Sequence, residues 1–222
     1  MALALFDLDR TLVSVNSALL WVRREREKGR ISPHRALAAT WWMGLYRLGF
    51  VAVERGVRNG TSWLAGIREP DLEAAMEAFW AEEIGPRVRP GGRAAVARHR
   101  AAGDRTVLLT SSIVHLGRIA AGDLGLDDAI CTVPAVKEGV LTGDVVGTFC
   151  YGDGKLEHAR RFAEACGELL ETAWFYTDSA ADLPVMEAVG HPVCVDPDRR
   201  LAREARRNGW PVEDWDAPSA EA

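Results

Sequence analysis

Apolar positions along this chain come in two styles. From about residue 13 to residue 85 they recur at helical spacing, while the flanking sequence carries short apolar runs that end in polar residues and lead into helical patterns. Leu3 to Phe6 is the first such run and leads straight into Asp7, with Asp9 and Thr11 following at two-residue spacing. If the chain stays extended past the run, alternation places Asp7, Asp9 and Thr11 on one side. Thr106 to Leu109 is a second run, ending in Thr110-Ser111-Ser112. Further strands are expected near Ala129 to Thr132, over Ala173 to Tyr176 before Thr177-Asp178, and over Val193 to Val195. Helices are expected from about Arg93 to Ala102, Ile113 to Leu124, Lys155 to Cys166 and Leu201 to Asn208, with Ser179 capping one more. Val136 to Phe149 alternates around Glu138-Gly139 and Thr142-Gly143, the pattern of a hairpin or irregular arm. Strands alternating with helices predict an α/β fold with a parallel sheet and right-handed crossovers. The polar residues just past each strand end then lie on the edge where such sheets bind ligands.

The stretch between the first two runs reads differently. Ala18 to Val22 leads into the charged run Arg23 to Arg30, Ser32-Pro33 resembles a helix start, and Ala36 to Leu48 is apolar up to Gly49. Asp71 to Glu83 places Leu72, Ala75, Met76, Phe79 and Trp80 at helical spacing, and no period-2 strand stands out. This predicts a helical insert over residues 13–85, dividing a core made of residues 1–12 and 86–222. Five of the eight tryptophans (Trp21, Trp41, Trp42, Trp63, Trp80) fall in the insert, where a bundle core is the ordinary reason for them. Nine basic residues stand against three acidic ones between Val22 and Arg58, and Arg47, Arg55 or Arg58 could reach an anionic substrate.

Composition changes the picture mainly by exclusion. At 222 residues, 48% hydrophobic and 27% charged, the chain can hold one α/β domain plus a smaller insert. A net charge of −5 argues against a nucleic-acid footprint. Asp7 and Asp9 interrupt the apolar start too early for a signal peptide, and no run is long enough for a membrane span. Cys131, Cys150, Cys166 and Cys194 lack C-x-x-C spacing and suit buried thiols in a reducing compartment. A cytoplasmic protein is expected, and the five histidines form no cluster.

Four polar clusters sit at the predicted ligand edge: Asp7/Asp9, Thr110/Ser111, Lys155 and Asp178/Asp182. Neighbouring carboxylates repel, so such a pair persists where a cation sits between them or where they divide nucleophile and acid/base roles; an ordinary solvated turn is the plain alternative. Thr110 and Ser111 also stand where they would cap the next helix, and Asp178 where it would cap its own. A lysine at the helix start near Lys155 opposes the helix dipole unless an anion is close.

Asp-Leu-Asp-Arg-Thr at 7–11, Leu-Leu-Thr at 108–110, Lys155 and Asp178-Ser-Ala-Ala-Asp182, in this order, resemble the four motifs of the haloacid dehalogenase-like phosphohydrolases, and within them the subfamily IB branch that is similar to phosphoserine phosphatase. The resemblance covers essentially the whole chain. It implies a three-layer Rossmann-like core, with residues 13–85 as a helical cap that closes over the phosphate and selects the substrate. By the same resemblance Asp7 would attack phosphorus and form an aspartyl-phosphate, and Asp9 would act as general acid and then base. Magnesium would bind the Asp7 carboxylate, the Asp9 backbone carbonyl and the Asp178 carboxylate. Thr110, and with it Ser111, would bind phosphate oxygens; Lys155 would bridge Asp7 and the phosphoryl group; Asp182 would orient Lys155 or metal-bound water.

The match departs from its relatives in three places. Arg10 replaces a smaller residue, Thr177 stands where glycine is frequent, and Asn16 stands where phosphoserine phosphatases typically carry a glutamate for the substrate's amine. The implied activity is hydrolysis of a small phosphorylated metabolite, phosphoserine-like or histidinol-phosphate-like. Phosphotransfer by the same residues and a catalytically silent phospho-ligand-binding module are the alternatives.

Overall fold

Leu3–Phe6 is buried along its whole length and forms β1, at the centre of a six-stranded sheet. The computed structural model describes residues 2–29 and 61–216. After β1 the described chain runs through α1 (Ser17–Glu27), α2 (Glu69–Phe79), α3 (Pro90–Ala101), β2 (Arg105–Ile113), α4 (Val114–Leu124) and β3 (Asp128–Thr132). It continues through β4 (Pro134–Lys137), β5 (Val140–Val145), α5 (Asp153–Cys166), β6 (Trp174–Thr177), α6 (Leu183–Met186), β7 (His191–Val195), α7 (Arg199–Asn208) and β8 (Val212–Glu213). The large sheet has the order β3-β2-β1-β6-β7-β8, and every paired neighbour is parallel. The chain therefore winds to one side of β1 with β2 and β3 and crosses to the other with β6. That reversal opens a crevice beyond the strand ends.

Period-2 alternation splits the apolar residues into two cores, one on each face. Ala4, Phe6, Leu108, Tyr176 and Val193 face one core; Leu3, Leu5, Val107, Leu109, Phe175 and Cys194 face the other. Ala95 and Val96 of α3, Leu116 and Ala120 of α4, and Leu72, Met76 and Phe79 of α2 cover the first face. Ala159 and Ala163 of α5, Val185 of α6, and Leu201 and Ala205 of α7 cover the second. A sheet covered on both faces is the expected setting for an all-parallel arrangement. The parallel α/β sheet is the one anticipated from the alternating pattern, and its three layers are those the resemblance implied.

Several boundaries moved. β2 runs to Ile113, past the expected end at Leu109, with a shift of register between Leu109 and Ile113, so Thr110 and Ser111 lie on extended backbone. Neither caps α4, whose first turn receives no side-chain cap from Ile113. β8 was not anticipated; two residues are too short a run for alternation to register. The alternating arm is a hairpin, β4 with β5, and it docks on the described end of the insert. Leu141 N–H donates to Ile67 O at 2.8 Å, Gly66 N–H to Leu141 O at 2.9 Å, and the Thr61 hydroxyl to Gly143 O at 2.7 Å.

Within the insert, Asn16 caps α1 by accepting from Leu19 N–H, and Pro70 stands in the first turn of α2. Trp21 packs against Phe79 and Trp63, with ring centroids 5.1 and 5.6 Å apart. Trp21, Phe79 and Trp80 belong to the same apolar cluster as the sheet residues on that face. The expected helix over Ala36 to Leu48, its start at Ser32-Pro33, Trp41, Trp42, Arg47, Arg55 and Arg58 lie outside the described residues. No helix among the described residues is long and apolar enough to cross a membrane.

Candidate active site

Asp7 follows β1, and its N–H donates to Tyr176 O of β6 at 2.9 Å, which extends the sheet pairing by one bond beyond the strand end. The chain then turns instead of staying extended. Thr11 and Val13 N–H both donate to Leu8 O, at 3.2 and 3.0 Å, and Arg10 takes a left-handed φ of 62°. The row of Asp7, Asp9 and Thr11 expected if the chain stayed extended is therefore not formed: Leu8 still joins Ala4 and Phe6 in one core, but the backbone turns at Arg10 and closes back onto Leu8 O. The turn sends the two carboxylates to different partners.

The Asp7 carboxylate meets Lys155. Lys155 Nζ lies 2.8 Å from Asp7 Oδ1 and 2.8 Å from Asp182 Oδ2, and the lysine is 2% exposed. Two glycines bring it there. Gly152, just before α5, sits at φ +53°, a conformation that favours glycine, and a Cβ on Gly154 would run into Phe149 O. Asp182 accepts in addition from the Thr177 hydroxyl at 2.6 Å. Thr177, the residue standing in place of a frequent glycine, thus holds an acid that faces the lysine.

Thr11 joins the end of β1 to the end of β6. Its Oγ1 lies 3.4 Å from Asp7 Oδ2 and accepts the Asp178 N–H at 3.0 Å, with Thr11 wholly buried. Asp178 is buried as well, and its carbonyl accepts from Asp198 N–H at 2.8 Å. Asp198 Oδ2 in turn accepts from Ala180 N–H at 2.9 Å, which ties the loop after β6 to the start of α7.

The Asp9 carboxylate faces the start of α1. Its Oδ1 accepts the Ser17 N–H at 3.0 Å, while its Oδ2 accepts the Ser17 hydroxyl at 3.0 Å and Asn16 Nδ2 at 3.4 Å. Ser17 Oγ also lies 3.2 Å from Ser112 Oγ on β2. Two residues before Ser112, buried Thr110 accepts the Ser112 N–H at 3.2 Å. The carbonyl of half-buried Ser111 accepts from the Thr132 hydroxyl at 2.9 Å.

Electrostatics follow from burial. Loss of water pushes the Asp7 carboxyl up to about 7, against the pull of the Lys155 ammonium. Burial raises Asp9 also, opposed by its two bonds from Ser17. Burial alone would lower Lys155, but Asp182 and Asp7 outweigh it and hold the ammonium firmly charged. Two carboxylates thus share one buried ammonium. Among the described residues no three His, Cys, Asp or Glu side chains form a metal cluster, and the Asp9 carboxylate is turned toward Ser17. Hard oxygen donors carried by the loops after β1 and β6 include the carboxylates of Asp7 and Asp178 and the backbone carbonyl of Asp9. That set fits a small divalent ion that keeps several waters, and the excess of negative charge around Asp7 favours one.

Of the residues singled out in the sequence, Asp7, Lys155 and Asp182 are in direct contact, and Asp178 is joined to Asp7 through Thr11. Ser17, Ser112 and Thr177 were not singled out as parts of the site. The Asn16-Ser17 pair carried a readable signal as a helix start before Ala18 to Val22.

A family model described as haloacid dehalogenase-like hydrolase matches residues 4–187. A histidinol-phosphatase from Neisseria meningitidis is 30% identical over 215 residues, covering 95% of this chain and 97% of its own. A phosphoserine phosphatase from Mycobacterium tuberculosis is 30% identical over 218 residues, covering 96% of this chain and 71% of its own. A crystal structure of a protein of unknown function from Bordetella pertussis superposes with a TM-score of 0.88 at 30% identity, over 96% of this chain and 98% of that one.

Proposed function

We propose, from the premise that this chain belongs to the haloacid dehalogenase-like hydrolase family, that it is a magnesium-dependent phosphomonoesterase working through an aspartyl-phosphate on Asp7. The observation that carries this reading is the buried ammonium of Lys155, 2.8 Å from both Asp7 and Asp182. A fixed cation beside a buried carboxylate suits attack on a phosphoryl group, whose oxygens gather charge in the transition state.

One Asp7 carboxylate oxygen attacks phosphorus as the ester P–O bond breaks, and Asp9 gives its proton to the departing oxygen, releasing the alcohol. Water then attacks phosphorus in the acyl phosphate while Asp9 takes a proton. The P–O bond to Asp7 breaks, and inorganic phosphate leaves with the Asp7 carboxylate restored. Thr110 donates its hydroxyl to a phosphate oxygen, Ser111 adds a contact beside it, and Lys155 neutralises charge on the transferring oxygens. Asp182, held by Thr177, keeps the lysine in place. Magnesium, held by Asp7, Asp178 and the Asp9 carbonyl, would supply positive charge that lets an anionic nucleophile approach an anionic ester, a repulsion of about 4 kcal/mol at 4 Å for an effective dielectric near 20.

Residues 13–85 act in this reading as the cap over a core of residues 1–12 and 86–222. The substrate is a small phosphorylated metabolite of the phosphoserine or histidinol phosphate kind. Asn16 spends both ends of its side chain, on Leu19 N–H and on Asp9, and offers no negative charge to a substrate ammonium. This favours substrates whose recognition does not depend on a carboxylate at position 16. Purified protein with magnesium is expected to release p-nitrophenol from p-nitrophenyl phosphate and to stop on addition of EDTA or in Asp7→Asn. Turnover persisting in Asp7→Asn would remove the mechanism.

A further inference from the structure

Ser17 gives two hydrogen bonds to Asp9, one to each carboxylate oxygen, both at 3.0 Å. It is the first residue of α1, where backbone N–H groups have no partner within the helix. One such N–H meets Oδ1 and the hydroxyl meets Oδ2, so the plane of the carboxyl group is set as well as its position. Ser17 is 2% exposed, which leaves water little room to replace either bond. The same hydroxyl lies 3.2 Å from Ser112 Oγ, and Ser112 stands two residues beyond Thr110 on the same strand. The carboxyl of Asp9 is thereby referenced to the strand that carries Thr110, through a Ser17–Ser112 contact that spans 95 residues of sequence.

From this geometry we infer that Ser17 is the positioning residue that aims the Asp9 carboxyl at the leaving-group oxygen, with Ser112 as its support. The inference rests on the phosphomonoesterase reading above. A general acid works only within hydrogen-bond reach of the atom it protonates, and a misplacement of about 1 Å costs on the order of a hundredfold. Both Ser17 bonds are donated to Asp9, so neither takes up the proton that Asp9 gives to the leaving group. Asn16 Nδ2, at 3.4 Å, is a weaker third contact and cannot fix both oxygens.

Leaving groups separate positioning of the acid from a merely structural role. Phenyl phosphate and p-nitrophenyl phosphate have nearly the same shape, but phenolate leaves poorly without a proton and p-nitrophenolate leaves well. The ratio of their kcat/KM values reports the step in which the ester bond breaks. Ser17→Ala is expected to lower kcat/KM for phenyl phosphate about tenfold more than for p-nitrophenyl phosphate. Ser17→Thr, which keeps the hydroxyl, is expected to bring the ratio back toward wild type, and Ser112→Ala to shift it in the same sense by a smaller factor. Thermal unfolding of each variant shows whether it is folded; if Ser17→Ala is not, Ser112→Ala and Ser17→Thr carry the test through the same ratio. Equal losses on both esters, or an unchanged ratio, would overturn the role of Ser17. Wild-type protein that hydrolyses neither ester would instead overturn the phosphomonoesterase reading.

Discussion

Thr177 Oγ1, at the end of β6, donates to Asp182 Oδ2 across 2.6 Å, and both residues are buried. The same carboxylate oxygen receives Lys155 Nζ at 2.8 Å, so a threonine in place of a smaller residue sets the acid that sets the lysine. Thr177→Val keeps the volume and removes the donor, leaving a buried carboxylate one bond short. A loss of about 1–3 kcal/mol of stability is expected by urea unfolding, largely recovered in Thr177→Ser. Equal stability of the valine variant and the wild type would show that the bond contributes nothing.

Lys155 is the shared cation of two buried acids, so its removal does more than delete a charge. In Lys155→Met the acids Asp7 and Asp182 face each other uncompensated, and about 3–5 kcal/mol of stability is expected to be lost. Lys155→Met with Asp182→Asn relieves part of that repulsion and is expected to unfold at higher urea than Lys155→Met alone. Turnover of p-nitrophenyl phosphate is expected to fall at least about a hundredfold in both. A double variant no more stable than the single one would show that the two acids do not interact.

Arg10 holds a φ of 62° in the loop after β1, with its side chain exposed and its N–H donating to Val15 O at 3.0 Å. The backbone, not the guanidinium, makes the demand at this position. Arg10→Val is expected to cost about 1–2 kcal/mol, since a β-branched residue tolerates the left-handed region poorly. Arg10→Gly and Arg10→Asn lose the same charge but accept the conformation, and both are expected within about 1 kcal/mol of wild type. Urea midpoints of the three variants decide between backbone and charge.

Asp104 immediately precedes β2, 2.9 Å from His99 Nδ1 and 2.9 Å from the Ala2 N–H, while the other ring nitrogen of His99 lies 2.9 Å from the Tyr176 hydroxyl. Burial opposes ionisation of this carboxyl, but the bonds from His99 and Ala2 prevail and hold it below its ordinary 3.8. A carboxyl whose pKa falls on folding adds stability that is complete above its unfolded value and disappears as pH drops through the folded one. Asp104→Asn is therefore expected to be less stable than wild type at neutral pH, with the gap closing below about pH 4. Thermal unfolding of both proteins from pH 7 to pH 2 measures the gap; a gap that widens on acidification would contradict the assignment.

Much of this molecule can be read from the chain alone. Short apolar runs ending in Asp7, Thr110 and Asp178 predict strands whose ends carry chemistry, because side-chain alternation and burial act within a few residues. The helices around Lys155 and after Ser179 follow from equally local signals, glycines and a capping hydroxyl. Tertiary structure decided what those signals cannot contain. The left-handed Arg10 and the two bonds onto Leu8 O turn the backbone, and the Asp9 carboxylate is held by Ser17 instead of standing in line with Asp7. Lys155 reaches Asp7 across 148 residues only because β1 and β6 are neighbours and α5 packs over them. Which acid meets which cation depends on how strands order themselves in the sheet, and that order is set by two buried faces closing at once, not by any one stretch of residues.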